Sequence, residues 1–158
     1  MAHFTSMNDI SNTLNKWDKR YLEIARLVGS WSKDPSTNVG AIIVGSHGQI
    51  LSQGYNGFPR NIQDDDRLND REQKYRLIVH AEMNCLHNSS LSGISLVDST
   101  LYSYGCPVCV ECAKGIIQVG IIRVVMDFDR KTVRQKWLDD LLHSIDMFNE
   151  SGVKCDIL

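Results

Sequence analysis

The sequence predicts an α/β fold: a three-layer α/β/α sandwich around a five-stranded mixed sheet. Short β-branched apolar runs alternate with segments whose apolar residues recur every three or four positions, the marks of buried strands and amphipathic helices in turn. The first two runs are parted only by a turn cluster and read as an antiparallel hairpin, whereas the later ones are parted by helices and read as parallel. A length of 158 residues suits one hydrophobic core, so residues 1–158 form a single domain.

Residues 1–12 are polar, and no element is expected there beyond a frayed end. Trp17, Tyr21, Ile24, Val28 and Trp31 then recur at helical spacing and mark one face of a first helix. Lys33-Asp34-Pro35-Ser36 ends it, because proline biases its predecessor away from helix. Residues 39–44 read as a buried strand, 46–49 as a turn and 50–55 as the second strand. From 56 to about 74 there are no periodic apolar residues. This stretch carries Asn56-Gly57-Phe58-Pro59-Arg60 and the run Asp64-Asp65-Asp66. A loop of that length is either functional or a solvated insertion. Residues 77–79 lead into a helix over 80–87, and 100–104 form the third strand. A helix over 112–119 buries Ala113, Ile116 and Ile117, and Gly120 stops it. Residues 121–126 form the fourth strand. The helix over 133–148 carries Trp137, Leu141, Ile145 and Phe148 on one stripe. Ser151-Gly152 stops it before a last strand at 153–157. There is no internal repeat, low-complexity tract or linker.

Hydrophobic residues make up 42% and charged residues 23%, which excludes a disordered chain and a coiled coil. The net charge of −2 lacks the basic surplus that grips nucleic-acid phosphates. No apolar run reaches membrane-spanning length, and the first residues show no export signal. The expected setting is therefore a reducing cytoplasm. There the cysteines at 85, 106, 109, 112 and 155 are not a disulfide framework. Three of them crowd into seven residues, which points to metal or redox chemistry.

His80-Ala81-Glu82 and Cys106-Pro107-Val108-Cys109-Val110-Glu111-Cys112 each open an expected helix. Either is weak alone, since His-x-Glu arises by chance and Cys-x-x-Cys can be a thiol redox pair. Together, one imidazole and two thiolates suit zinc and leave its fourth corner to water, as catalysis requires. Glu82 need not bind the metal and can move the water's proton. Helix starts favour thiolate over thiol through their exposed N–H groups and positive end. Two Cys-x-x-Cys registers overlap, Cys106/Cys109 and Cys109/Cys112; Cys112 would fall in the first turn of its helix.

A His-x-Glu with a later Pro-Cys-x-x-Cys is the signature of zinc nucleobase deaminases. The wider sequence resembles the deoxycytidylate deaminases from about Trp17 to about Asp127. The resemblance rests on 39–44, Gly54-Tyr55-Asn56-Gly57, His80-Ala81-Glu82-Met83-Asn84, Thr100-Leu101-Tyr102, Cys112-Ala113-Lys114-Gly115-Ile116-Ile117 and Gly120-Ile121. It implies a cytidine-deaminase-like fold and zinc-dependent hydrolysis of dCMP to dUMP and ammonia, which supplies dUMP for thymidylate synthesis. It places the second cysteine ligand directly before Ala-Lys, so His80, Cys109 and Cys112 hold the zinc, Glu82 is catalytic and Cys106 is a bystander. The proline usual just before the first cysteine is absent in that register. No second, structural zinc is expected. Asn56 is expected to contact sugar or base beside Ala81, Ser32 and Lys33 to hold the 5′-phosphate, and Tyr104 to cover the ring. The family's end-product control implies a homohexamer activated by dCTP and inhibited by dTTP. Tyr55, Gly57, Phe58, Arg60 and Arg67 are the expected effector residues, with Mg2+ accompanying the triphosphate. Competing readings are a transfer-RNA or DNA deaminase with the same zinc core, and a non-catalytic zinc module in which Cys106 fills the fourth corner.

Overall fold

The structure is a computed structural model and describes residues 14–158; the frayed end expected at 1–12 lies outside the described residues. Asn15 opens α1 (Lys16–Gly29) by accepting from the N–H groups of Trp17 and Asp18, while Asp18 accepts from the Asn15 N–H at 3.0 Å. The helix lies where its periodicity predicts, but the face it buries is Leu22, Ala25 and Val28. Trp17 and Trp31, read as part of that face, are 51% and 50% exposed. Close approach decides this: a Cβ on Gly40 would sit 2.0 Å from the Ala25 carbonyl oxygen, so small residues, not indoles, meet the sheet.

The sheet is ordered β2-β1-β3-β4-β5, with β1 at Gly40–Val44, β2 at Ile50–Tyr55, β3 at Thr100–Tyr104, β4 at Arg123–Asp127 and β5 at Lys154–Ile157. β1 is antiparallel to both β2 and β3, and β3, β4 and β5 are mutually parallel. The antiparallel pairing therefore extends beyond the expected hairpin, because β3 returns beside β1 in the direction of β2. Side chains alternate across the sheet. Ile42, Val44, Tyr102 and Val125 pack under α1. Ala41, Ile43, Leu101, Val124 and Met126 face the opposite layer. That layer is α3 (Ala81–Ser92), α4 (Val110–Gln118) and α5 (Gln135–Ser151). Arg123 ties α1 to the sheet, reaching Asp18 at 2.7 Å and Asp156 at 2.8 Å.

The segment read as a bare loop after residue 56 is partly ordered. It contains a 3-10 turn at Asp66–Leu68 and α2 at Arg71–Leu77, the latter capped by Asp70. Lys74 is the residue α2 buries, so there was no apolar stripe to read. α3 outlasts its expected end at His87 and stops at Gly93, whose φ of 66° closes it. Among the described residues, no helix is long and apolar enough to cross a membrane.

Candidate active site

Two helix starts meet on the α3–α4 side of the sheet. His80 is the N-cap of α3 and Cys109 the N-cap of α4. The first turn of α4 returns Cys112 beside Cys109, and the Cys112 N–H points to the Cys109 sulfur at 3.5 Å. The His80 Nδ1 lies 3.4 Å from the Cys109 Sγ and 3.4 Å from the Cys112 Sγ. These donor atoms all lie within 4.8 Å of one another, and Cys106 is not part of the group.

The donor set fits zinc. Bonds of about 2.0–2.1 Å to nitrogen and about 2.3 Å to sulfur at a tetrahedral angle put the two donor atoms about 3.5 Å apart, close to the 3.4 Å found. Protons hold these groups together where a metal would. The Cys109 thiol is pulled far down by hydrogen bonds from Cys112 and from His80. His80 is raised to about 9, chiefly by its bond to Cys109. Cys112 is pushed up because it donates to Cys109, is buried and faces Glu82. A divalent cation bound at this spacing would displace the protons of His80 and Cys112.

Glu82 lies in the first turn of α3 and is 3% exposed. Burial raises its pKa, while the charge of His80 opposes the rise. Ser103 donates to Oε1 at 3.0 Å, and Oε2 faces the Cys112 Sγ at 3.7 Å. One carboxylate oxygen is therefore anchored to β3, and the other is turned toward the Cys112 sulfur.

A cavity of about 120 Å3 opens at this carboxylate, lined in part by Val39, Asn56, Ile78, His80, Ala81 and Glu82. Asn56 is buried, with Oδ1 accepting the Val39 N–H at 2.8 Å and Nδ2 donating to the Thr37 carbonyl at 2.8 Å. Ser32 and Lys33 do not line the cavity. Ser32 Oγ donates to the Asn56 carbonyl at 2.8 Å, and Lys33 pairs with Asp64 at 2.7 Å. Tyr104 borders a wider outer vestibule and packs on the α1 side. Tyr55, Gly57, Phe58 and Arg60 border a different cavity of about 410 Å3. Arg67 is held to Asp65 at 2.8 Å, with its guanidinium 5.7 Å from the Phe58 ring.

Sequence reasoning missed four contributors. Lys74 is 7% exposed and pairs with Asp34 at 3.0 Å and with Ser36 at 2.6 Å, beside Asn56 in the cavity wall. Ser103 holds Glu82. Trp137 and Asp140 of α5 also line the cavity. The Asp140 carboxylate accepts the Val110 N–H at 3.1 Å and so braces the first turn of α4. Cys106 lines the cavity too, as a thiol that burial raises to about 12.

The family model described as the cytidine and deoxycytidylate deaminase zinc-binding region matches residues 15–127. A protein of Aliivibrio fischeri described as an uncharacterized deaminase in the luxG 3′ region is 39% identical over 143 residues, covering 89% of this chain and 92% of that protein. Human deoxycytidylate deaminase is 36% identical over 121 residues, covering 73% of this chain and 66% of its own length. The crystal structure of apo dCMP deaminase from cyanophage S-TIM5 superposes with a TM-score of 0.69 at 25% identity, covering 89% of this chain and 96% of that one.

Proposed function

We propose that this chain, which belongs to the cytidine and deoxycytidylate deaminase family, hydrolyses dCMP to dUMP and ammonia. The observation that carries the proposal is a buried carboxylate beside a three-donor metal group, both opening on one small cavity. The cavity of about 120 Å3 is near the size of a cavity of roughly 150 Å3 that takes a benzene ring, so it suits a pyrimidine.

His80, Cys109 and Cys112 would hold the zinc. When bound, it supplies Lewis acidity that brings a water pKa from 15.7 to about 7. Glu82 takes a proton from the attacking water and delivers it to N3, which leaves C4 electron-poor. Addition of the water oxygen at C4 is followed by proton delivery to the amine, which departs as ammonia. One carboxyl serves as base and then acid, and desolvation of Glu82 raises its pKa, the direction such a role needs. Ser103 fixes Oε1, so Oε2 carries the proton. Asn56 stands in the cavity wall as the residue that would contact sugar or base, its amide fixed by the Val39 N–H and the Thr37 carbonyl. No fourth protein donor joins the metal group among the described residues, which favours catalysis over a non-catalytic zinc module.

The finer reading adds regulation by dCTP and dTTP in a hexamer. It is supported by the separate cavity at Tyr55, Gly57, Phe58 and Arg60. Gly57 exchanges backbone hydrogen bonds of 3.1 and 2.8 Å with Val79, next to Asn56 and His80 in sequence, so the two cavities share a backbone link. Asp64 and Asp65, the acidic residues read as magnesium ligands, do not line that cavity and are paired with Lys33 and Arg67.

Ammonia release from dCMP, CMP, deoxycytidine and dCTP, each with and without added dCTP or dTTP, tests the proposal. The expected result is preference for dCMP. Release from none of the four, by zinc-loaded protein, would refute it.

A further inference from the structure

The inner cavity holds a ring but not a nucleotide. Sugar and phosphate must lie in the adjoining vestibule of about 810 Å3. Residues common to both walls form the collar between them: Thr37, Lys74, Tyr75, Cys106 and Trp137. The Lys74 ammonium is engaged by Asp34 and Ser36. Trp137 is the largest side chain of the collar, and it comes from α5, beyond the residues 15–127 that the family model matches. Its helix and its ring are each held. Asp140, three residues on, anchors α5 to the Val110 N–H at 3.1 Å. Arg134, three residues back, places its guanidinium 5.7 Å from the ring and also lines the vestibule. A cation over an indole face is a favourable pairing.

We propose that the first turn of α5 reads the part of a pyrimidine nucleotide that lies outside the inner cavity. The Trp137 indole packs against the nucleoside at the collar, and Arg134, held over that indole, meets the phosphate. This rests on the substrate being a pyrimidine nucleotide. It makes α5 a specificity element added to the shared zinc core. The same turn gives an apolar contact and a charge at i and i+3, the spacing at which helix residues are neighbours.

Tryptophan emission tests this without turnover. In a chain carrying Trp17→Phe and Trp31→Phe, Trp137 is the sole indole, since the sequence has three. Saturating dUMP should change its emission. Deoxyuridine should do so at higher concentration, and Arg134→Gln should weaken dUMP while leaving deoxyuridine unaffected. Trp137→Ala should raise the KM for dCMP about tenfold, the scale of losing one buried apolar contact. Its kcat should change far less, a split that general destabilisation would not give; Trp137→Phe should recover much of the loss. If dUMP inhibits dCMP turnover yet leaves the Trp137 emission unmoved, the inference is overturned while the deaminase reading stands. If the same protein releases no ammonia from dCMP, the deaminase reading falls and takes this inference with it.

Discussion

Gly54→Ala should disable the site through geometry alone. Gly54 lies on β2 under the first turn of α3. An added Cβ would meet the Ala81 carbonyl oxygen and the Cys85 nitrogen, each at 2.6 Å. Ordinary contact begins near 3.4 Å, so helix and strand must separate by about 0.8 Å. Both obstacles are backbone, and no side-chain rotation relieves them. Two bonds resist separation: Ser52 Oγ to the Cys85 carbonyl at 2.7 Å and Asn84 Nδ2 to the Tyr55 carbonyl at 2.7 Å. His80 and Glu82 ride on the displaced turn. Overpacking of this kind costs about 1–3 kcal/mol of stability. A misplacement near 1 Å of a catalytic group costs about a hundredfold in rate. The assay is ammonia release from dCMP by zinc-loaded protein, alongside a thermal melt. The expected outcome is a fall in kcat of about a hundredfold with a modest drop in Tm. Gly40→Ala makes a deeper clash, 2.0 Å from the Ala25 oxygen, but on the α1 face; it should cost more stability and, where folded protein remains, less kcat. A Gly54→Ala protein with unchanged kcat and unchanged zinc affinity would refute the reasoning.

Other outcomes follow from the same geometry. Glu82→Gln should keep its zinc, measured by metal analysis, and lose turnover by at least the roughly 10²–10⁴-fold that general acid–base catalysis supplies. Cys106→Ser should retain metal and activity, whereas Cys109→Ser and Cys112→Ser should lose both, which separates the two overlapping Cys-x-x-Cys registers. Lys74→Met should destabilise by about 3–5 kcal/mol, because it leaves the buried Asp34 without its cation. Burial pushes the Asp34 carboxyl up, but the Ser36 N–H, Lys74 and the Ser36 hydroxyl outweigh it and hold the pKa low. The stability this contributes is complete above the unfolded value of about 3.9 and is lost as pH falls through the lower folded value. Denaturant titrations across that acid range should show the loss in the parent chain and a shallower one in Lys74→Met.

The site's donors were legible because their signal is local. His80 and Glu82 lie two residues apart, and Cys109 and Cys112 lie in one helical turn, so spacing and helix starts already carried the chemistry. The structure added the separation between the two groups, which sequence cannot supply. Ser103 could have been found, since strand alternation puts it on the same face as Leu101, toward α3. Lys74 could not. Its partner Asp34 is 40 residues away in a turn that sequence reads as punctuation. Trp137 falls on the apolar stripe of its helix, but that stripe runs off the core edge into the cavity wall. Ser32 and Lys33 lie outside the cavity wall, where their side chains meet the Asn56 carbonyl and Asp64.

The central claim is that three protein donors and one buried carboxylate make a zinc-dependent deaminase. Its most direct test is a zinc titration of chelator-treated protein, followed by ammonia release from dCMP. Activity should be absent without metal, rise in proportion to added zinc and level off at one ion per chain. Ammonia release by metal-free protein, or saturation with zinc and no release, would contradict the account.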